Sequence, residues 1–239
     1  MAGQSAERKE SALAAVTDKI LDACSTAVPL SKTGLVPEGS ELADLIIGER
    51  QRRVFPLNGF ITVCENFYSP SESQTFIYHV ISEPPDDKMK KYLLDCYLGA
   101  CVDGFNPGKP AKDVTMLFVF GGNLKLKSVE LKNFSNPRFH AKFVSEINPE
   151  DVTWRVADKF KNKKKMDHSD LFDLVMISGN APFGVERFEK TLAIAQSVFE
   201  PEMLALYLDC AFTYSRNRLT EEHMETILKH FGSSVGYRC

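Results

Sequence analysis

Apolar positions recur along this chain in two rhythms, and the changes of rhythm mark its elements. Near the start, Leu13, Val16, Ile20 and Leu21 fall at helical spacing, which predicts an amphipathic helix over 7–24, ended by Pro29. Residues 29–40 (PLSKTGLVPEGS) mix prolines, glycines and polar side chains in the manner of a linker. A short helix is expected over 41–47 behind a Ser40 cap, and residues 49–53 then give a small basic cluster or, alternatively, a solvated connection. From Val54 to Ile81 the period falls to two. Phe60, Thr62 and Cys64 alternate against Ile61 and Val63, and 75–81 (TFIYHVI) is β-branched and aromatic, so two antiparallel strands joined by a longer loop are predicted. Behind Pro84-Pro85, Met89, Tyr92, Leu93, Cys96, Tyr97, Ala100 and Cys101 return to helical spacing, with Asp86 as cap and Gly104 as stop.

The chain's centre is its most patterned part. Val114 to Phe120 is an unbroken apolar run of a length that suits a strand buried on both faces. Gly121, Gly122 and Asn123 reach positive φ cheaply, which predicts a tight hairpin. Leu124 and Leu126 then alternate with Lys125 and Lys127, and later Phe139, Ala141 and Phe143 alternate with Arg138, His140 and Lys142. One sheet face is therefore expected to be core and the other basic. Beyond the Asn148-Pro149 turn, Val152, Trp154 and Val156 suggest another alternating segment. There the single tryptophan reads as core packing or, alternatively, as an exposed stacking platform.

The last seventy residues read as helices. One runs from a Ser169 cap to Gly179, and a second carries Val185, Phe188, Leu192, Ala195 and Phe199. A third starts at Pro201 with Met203, Leu204, Tyr207, Leu208, Ala211 and Phe212 as its stripe, and a fourth follows a Thr220 cap and closes at Gly232. The expected fold is thus α+β: an antiparallel β-sheet core flanked by an N-terminal helical arm and a C-terminal helical subdomain. The domains are placed at 1–40 (arm and linker), 41–165 (sheet domain with a basic face) and 166–239 (helical subdomain).

Charge sharpens this picture. The net charge of −3 hides thirteen Lys and Arg against six Asp and Glu in 105–165, between flanks with ten against fifteen and six against eleven. A basic centre recruits a polyanion through its local field, whatever the net charge. The candidate polyanion-binding residues are Lys125, Lys127, Lys132, Arg138, His140 and Lys142 on the sheet, extended by Lys159, Lys161, Lys163, Lys164 and Lys165. The lysine run reads equally as a solvated loop or as a phosphate contact. If roughly six of these cations neutralised phosphates, affinity would fall about a thousandfold from 50 to 200 mM salt.

Other chemistries find little footing. No window approaches the ~18 apolar residues of a membrane span, and the N-terminus is charged where a secretory leader would be apolar. The expected location is cytoplasmic, at a membrane periphery or in the nucleus. The six cysteines are widely spaced without a C-x-x-C pair and read as reduced, mostly buried thiols. Phe120-Gly121-Gly122-Asn123 lacks the helix and Lys-Ser/Thr pair of a phosphate loop, and His223 and His230 stand too far apart on a helix to share one metal. Asp167-His168-Ser169-Asp170 has the letters of a triad, but adjacent residues at a helix start serve as caps. No catalytic residue, metal or cofactor is implied.

The order of elements resembles the matrix proteins of negative-strand RNA viruses. That resemblance implies a sheet paired with helices and self-association at a membrane and a nucleocapsid; this chain differs in lacking a proline-tyrosine late motif and in its acidic N-terminal third. The function expected is that of a non-enzymatic assembly protein. It would self-associate, bind RNA or anionic lipid non-specifically through the basic centre, and meet other proteins through its acidic C-terminal helices. The alternative is a small enzyme or host-directed adaptor with a cleft between sheet and helices.

Overall fold

A computed structural model describes residues 2–24, 28–36, 43–44, 49–57, 60–68, 75–81, 114–120, 139–180, 184–216, 218–225 and 227. In chain order these form α1 (Ala2–Ala23), a 3-10 turn (Leu30–Thr33), and strands β1 (Glu49–Leu57), β2 (Phe60–Tyr68), β3 (Thr75–Ile81), β4 (Val114–Phe120) and β5 (Phe139–Phe143). A second 3-10 turn (Val144–Glu146) leads into α2 (Pro149–Lys161), α3 (His168–Gly179), α4 (Val185–Val198) and α5 (Pro201–Ser215).

The centre of the packing is α3. Every residue from Asp170 to Gly179 is buried, because the sequence LFDLVMISG is apolar nearly all round and leaves no side for water. Helices α2, α4, α5, α1 and the first 3-10 turn all lie against it. Leu13, Val16, Ile20 and Leu21 of α1 join this core as their spacing predicts, and Lys19 reaches Asp209 of α5 at 2.6 Å. On α4 and α5, Phe188, Leu192, Ala195, Leu204, Tyr207, Leu208 and Ala211 are buried. Cys24 and Cys210 are buried free thiols, each pushed up to about 12 first by desolvation, so neither is a ready nucleophile.

The expected antiparallel sheet core is corrected on two counts. Strand pairing is mixed: β1–β2 and β2–β3 are antiparallel, while β3–β4 and β4–β5 are parallel. The described interior is also mostly helical, with Leu117 and Val119 the strand members of its main cluster. Parallel neighbours need crossovers of a dozen or more residues, and 82–113 and 121–138 are long enough to supply them, whereas a two- or three-residue hairpin is not. The hairpin expected at Gly121–Asn123, the strand after it and the helix expected from Asp86 to Gly104 lie outside the described residues. Residues 49–53 are strand rather than a loose connection.

The alternating segment expected at Val152, Trp154 and Val156 is also corrected, because these residues lie in α2. Asn148 caps that helix by accepting from the Glu150 N–H at 2.9 Å, Pro149 occupies its first turn, and Glu150 and Asp151 suit the positive end of the helix dipole. Val152 and Val156, one turn apart, are buried; Trp154, on another side, is 71% exposed.

Gly34 follows the first 3-10 turn with φ +81, and a Cβ there would come within 2.7 Å of Phe172 Cβ. Both the left-handed backbone and the close approach to α3 demand glycine. Gly34→Ala is expected to cost about 3 kcal/mol, combining a backbone penalty with overpacking. In urea unfolding, the midpoint should fall with the slope unchanged; an unaltered midpoint would contradict the close packing of this turn on α3.

Candidate polyanion-binding surface

Three carboxylates spaced three residues apart organise the charge around α3. Asp167 is its N-cap, accepting from the Ser169 and Asp170 N–H groups at 3.1 and 3.2 Å, while the Asp170 carboxylate accepts from the Asp167 N–H at 3.0 Å. This capping box bears out capping as the role of Asp167-His168-Ser169-Asp170 and moves the cap from Ser169 to Asp167. The Asp170 side chain is fully buried and that of Asp173 nearly so.

Buried carboxylates need cations, and the chain provides four around them. Arg155 of α2 spans two of them, with Nε 3.3 Å from Asp170 and Nη2 2.8 Å from Asp173. Lys159, one turn along α2, lies 2.7 Å from Asp170 and 3.5 Å from Asp167. Lys32 of the 3-10 turn lies 3.3 Å from Asp167. Lys142 of β5 lies 3.3 Å from Asp173, donates to the Gly34 carbonyl, and stands 5.0 Å from the centre of the Phe172 ring. Burial lowers the Lys142 pKa despite Asp173, and burial raises that of Asp170. For Asp167, burial is outweighed by the Lys159 charge, the Asp170 N–H and Lys32, which hold the carboxyl below its usual range.

The candidate cations therefore divide. Lys142, expected to point outward, is turned into the interior because Asp173 and the Gly34 carbonyl are there to meet it. Lys159 is likewise held by α3 carboxylates. Lys125, Lys127, Lys132, Arg138 and the side chain of His140 lie outside the described residues. Lys161, Lys163, Lys164 and Lys165 are exposed and form no ion pair with any described residue.

These four surround the C-terminal end of α2, which closes in a Schellman-type turn. The Lys164 N–H donates to the Lys159 carbonyl at 2.9 Å and the Lys163 N–H to the Phe160 carbonyl at 3.1 Å. Lys163 occupies the left-handed position of that turn with φ +52, where glycine is usual. Asn162 donates to Asp158 Oδ1 at 2.9 Å, so the one nearby carboxylate on this end of the helix has a partner other than a lysine. The lysines also complement the negative end of the helix dipole.

Two exposed aromatics accompany them: Trp154 at 71% and Phe160 at 54%. The core reading of Trp154 gives way to the alternative of an exposed ring. The signal for this was local, since Asn-Pro followed by two acids opens a helix, and Val152 with Val156 marks its buried side. The partners of Lys142 and Lys159 were also signalled by the three aspartates, of which Asp173 sits inside an apolar run. Among the described residues, no cluster of His, Cys, Asp and Glu is placed to hold a metal, and no helix is long and apolar enough to cross a membrane. No protein-family model matches the chain, and neither the curated proteins nor the solved structures contain a significant match to it.

Removing one member of a buried ion cluster strands its partner. Asp173→Ala is expected to destabilise by about 3–5 kcal/mol, because Lys142 and Arg155 would lose the carboxylate that offsets the burial of the Lys142 ammonium. Adding Lys142→Met should restore much of that loss. Urea midpoints of the single and double variants check this coupling, and strictly additive losses would contradict it.

Proposed function

We propose that this is a non-enzymatic assembly protein that binds an acidic polymer or surface through the lysines at the end of α2 and associates with further copies of itself. The observation that carries the reading is Lys163 in the left-handed position of the closing turn. Any side chain with a Cβ is strained there by about 1 kcal/mol relative to glycine. A lysine in that place, exposed and flanked by Lys161, Lys164 and Lys165, concentrates positive charge where folding alone would favour a glycine. The internal ion pairs support the reading from the other side, since the carboxylates nearest in sequence are occupied by Arg155, Lys159, Lys142 and Lys32 and do not neutralise the exposed group.

Self-association rests on charge complementarity. Glu200, Glu202 and Glu221 are exposed on the C-terminal helical part, which gives one copy an acidic surface to meet the lysines of another or a separate basic protein. Such contacts are screened by salt and compete with a polyanion for the same lysines.

Two variants test the reading, each with binding and stability measured separately. Lys163→Gly should stabilise the fold by about 1 kcal/mol while weakening binding to heparin. The triple reversal Lys163→Glu, Lys164→Glu and Lys165→Glu should cost at least about tenfold in heparin affinity and should abolish low-salt self-association in sedimentation, while the protein stays folded with a modestly lower unfolding midpoint because acids oppose the helix dipole there. With four phosphate contacts, the unaltered protein should lose on the order of a hundredfold in affinity between about 50 and 200 mM salt. Salt-independent retention, or reversal without effect, would overturn the proposal.

A further inference from the structure

The lysines account for attraction to any polyanion, but not for two large rings held in water beside them. Trp154 and Phe160 are the exposed large hydrophobics among the described residues, and they share one helix with the lysine tract. Six positions on a helix place them about 120° apart around the axis and about 9 Å apart along it. Lys161, seven positions from Trp154, lies about 20° from it around the axis, so ring and cation fall on one line that runs toward Lys163, Lys164 and Lys165.

We infer that this end of α2 is a docking surface for single-stranded nucleic acid, in which unpaired bases stack on Trp154 and Phe160 while the lysines meet the phosphates. The inference rests on the polyanion reading above and specifies its ligand. Unpaired strands offer exposed π-faces together with a phosphate on every nucleotide, which matches two exposed rings and a lysine cluster gathered on the solvent side and end of one helix. Stacking tolerates any base and either sugar, and nothing in this surface reads a base edge.

The other polyanions fit less well. In a duplex the bases are already stacked on one another, so the rings would gain nothing. An anionic bilayer would attract the lysines and accept a tryptophan, but a helix that lies on a membrane presents a continuous apolar face. Here the exposed positions that share the ring-bearing side are Glu150, Thr153 and Ala157, and Asp151 is exposed beside them. Flattening this surface on anionic headgroups would press carboxylates against like charge. A flexible strand can instead approach the lysine end and leave the acidic first turn in water.

Because Trp154 is the only tryptophan in the chain, its fluorescence reports on this surface alone. The full-length protein is titrated separately with oligothymidylate, a duplex of equal charge, inorganic polyphosphate, and phosphatidylserine-containing vesicles. The expected result is quenching by oligothymidylate and not by polyphosphate or duplex. Trp154→Ala should also lose about tenfold in affinity for labelled oligothymidylate, measured by anisotropy, a larger loss than for polyphosphate, with Trp154→Phe in between. Its exposed position keeps these substitutions from unfolding the protein, as the unfolding midpoint verifies. Binding of all polyanions without quenching or ring dependence would overturn the stacking site and leave the lysine reading standing. A blue shift on vesicles without quenching by the oligonucleotide would overturn it in favour of a membrane. Failure to bind any of the probes would overturn both.

Discussion

Three carboxylates on a helix with no solvated side set the terms for this molecule. Asp167, Asp170 and Asp173 recur every third residue at the start of α3, the segment around which the other described helices pack. A carboxylate taken out of water must be met by a cation or neutralised, and here cations arrive from three directions: β5, α2 and the first 3-10 turn. The cluster therefore does more than balance charge. It fixes α2 against α3 and brings the Gly34 turn, the end of β5 and the Phe172 ring to one place.

That demand on cations sorts the basic residues of the centre. Arg155 and Lys159 lie one turn apart on the side of α2 that faces α3, alongside the buried Val152 and Val156. The remaining side of the helix faces water and carries Trp154, Phe160 and Lys161. The helix then ends in a turn that holds three more lysines outward. One short helix thus uses its first set of cations inside and presents its second set outside, and the separation follows from the 3.6-residue period. Screening by salt acts strongly on the outer set and weakly on the inner one.

The helical elements were legible in the sequence where a stripe of apolar residues recurred at helical spacing or a start signal, a cap or a proline in the first turn, marked the beginning. Leu13 to Leu21, Pro201 with the Tyr207 face, and the Thr220 cap are of this kind; the Thr220 hydroxyl accepts from the His223 N–H at 3.2 Å. Two kinds of information were not legible. Val152, Trp154 and Val156 satisfy period two as well as i, i+4, so the strand reading failed where Asn148-Pro149 and the acidic first turn should have decided for a helix. Whether a strand pairs in parallel or antiparallel fashion depends on partners distant in sequence, and so does the destination of Lys142, whose strand parity pointed to solvent. The lysine tract was visible as charge, but the left-handed Lys163 and the exposure of Trp154 are properties of the folded turn and helix.

The division between internal and exposed lysines can be measured without reference to any ligand. Brief acetylation of the folded protein, read lysine by lysine by mass spectrometry, compares each ammonium group directly with its neighbours. Lys161, Lys163, Lys164 and Lys165 should react rapidly, whereas Lys142 and Lys159, held by Asp173 and Asp170, should react at least about tenfold more slowly until the protein is unfolded. Equal reactivity of all six in the folded protein would contradict the ion cluster and, with it, the assignment of the outer lysines to a surface of their own.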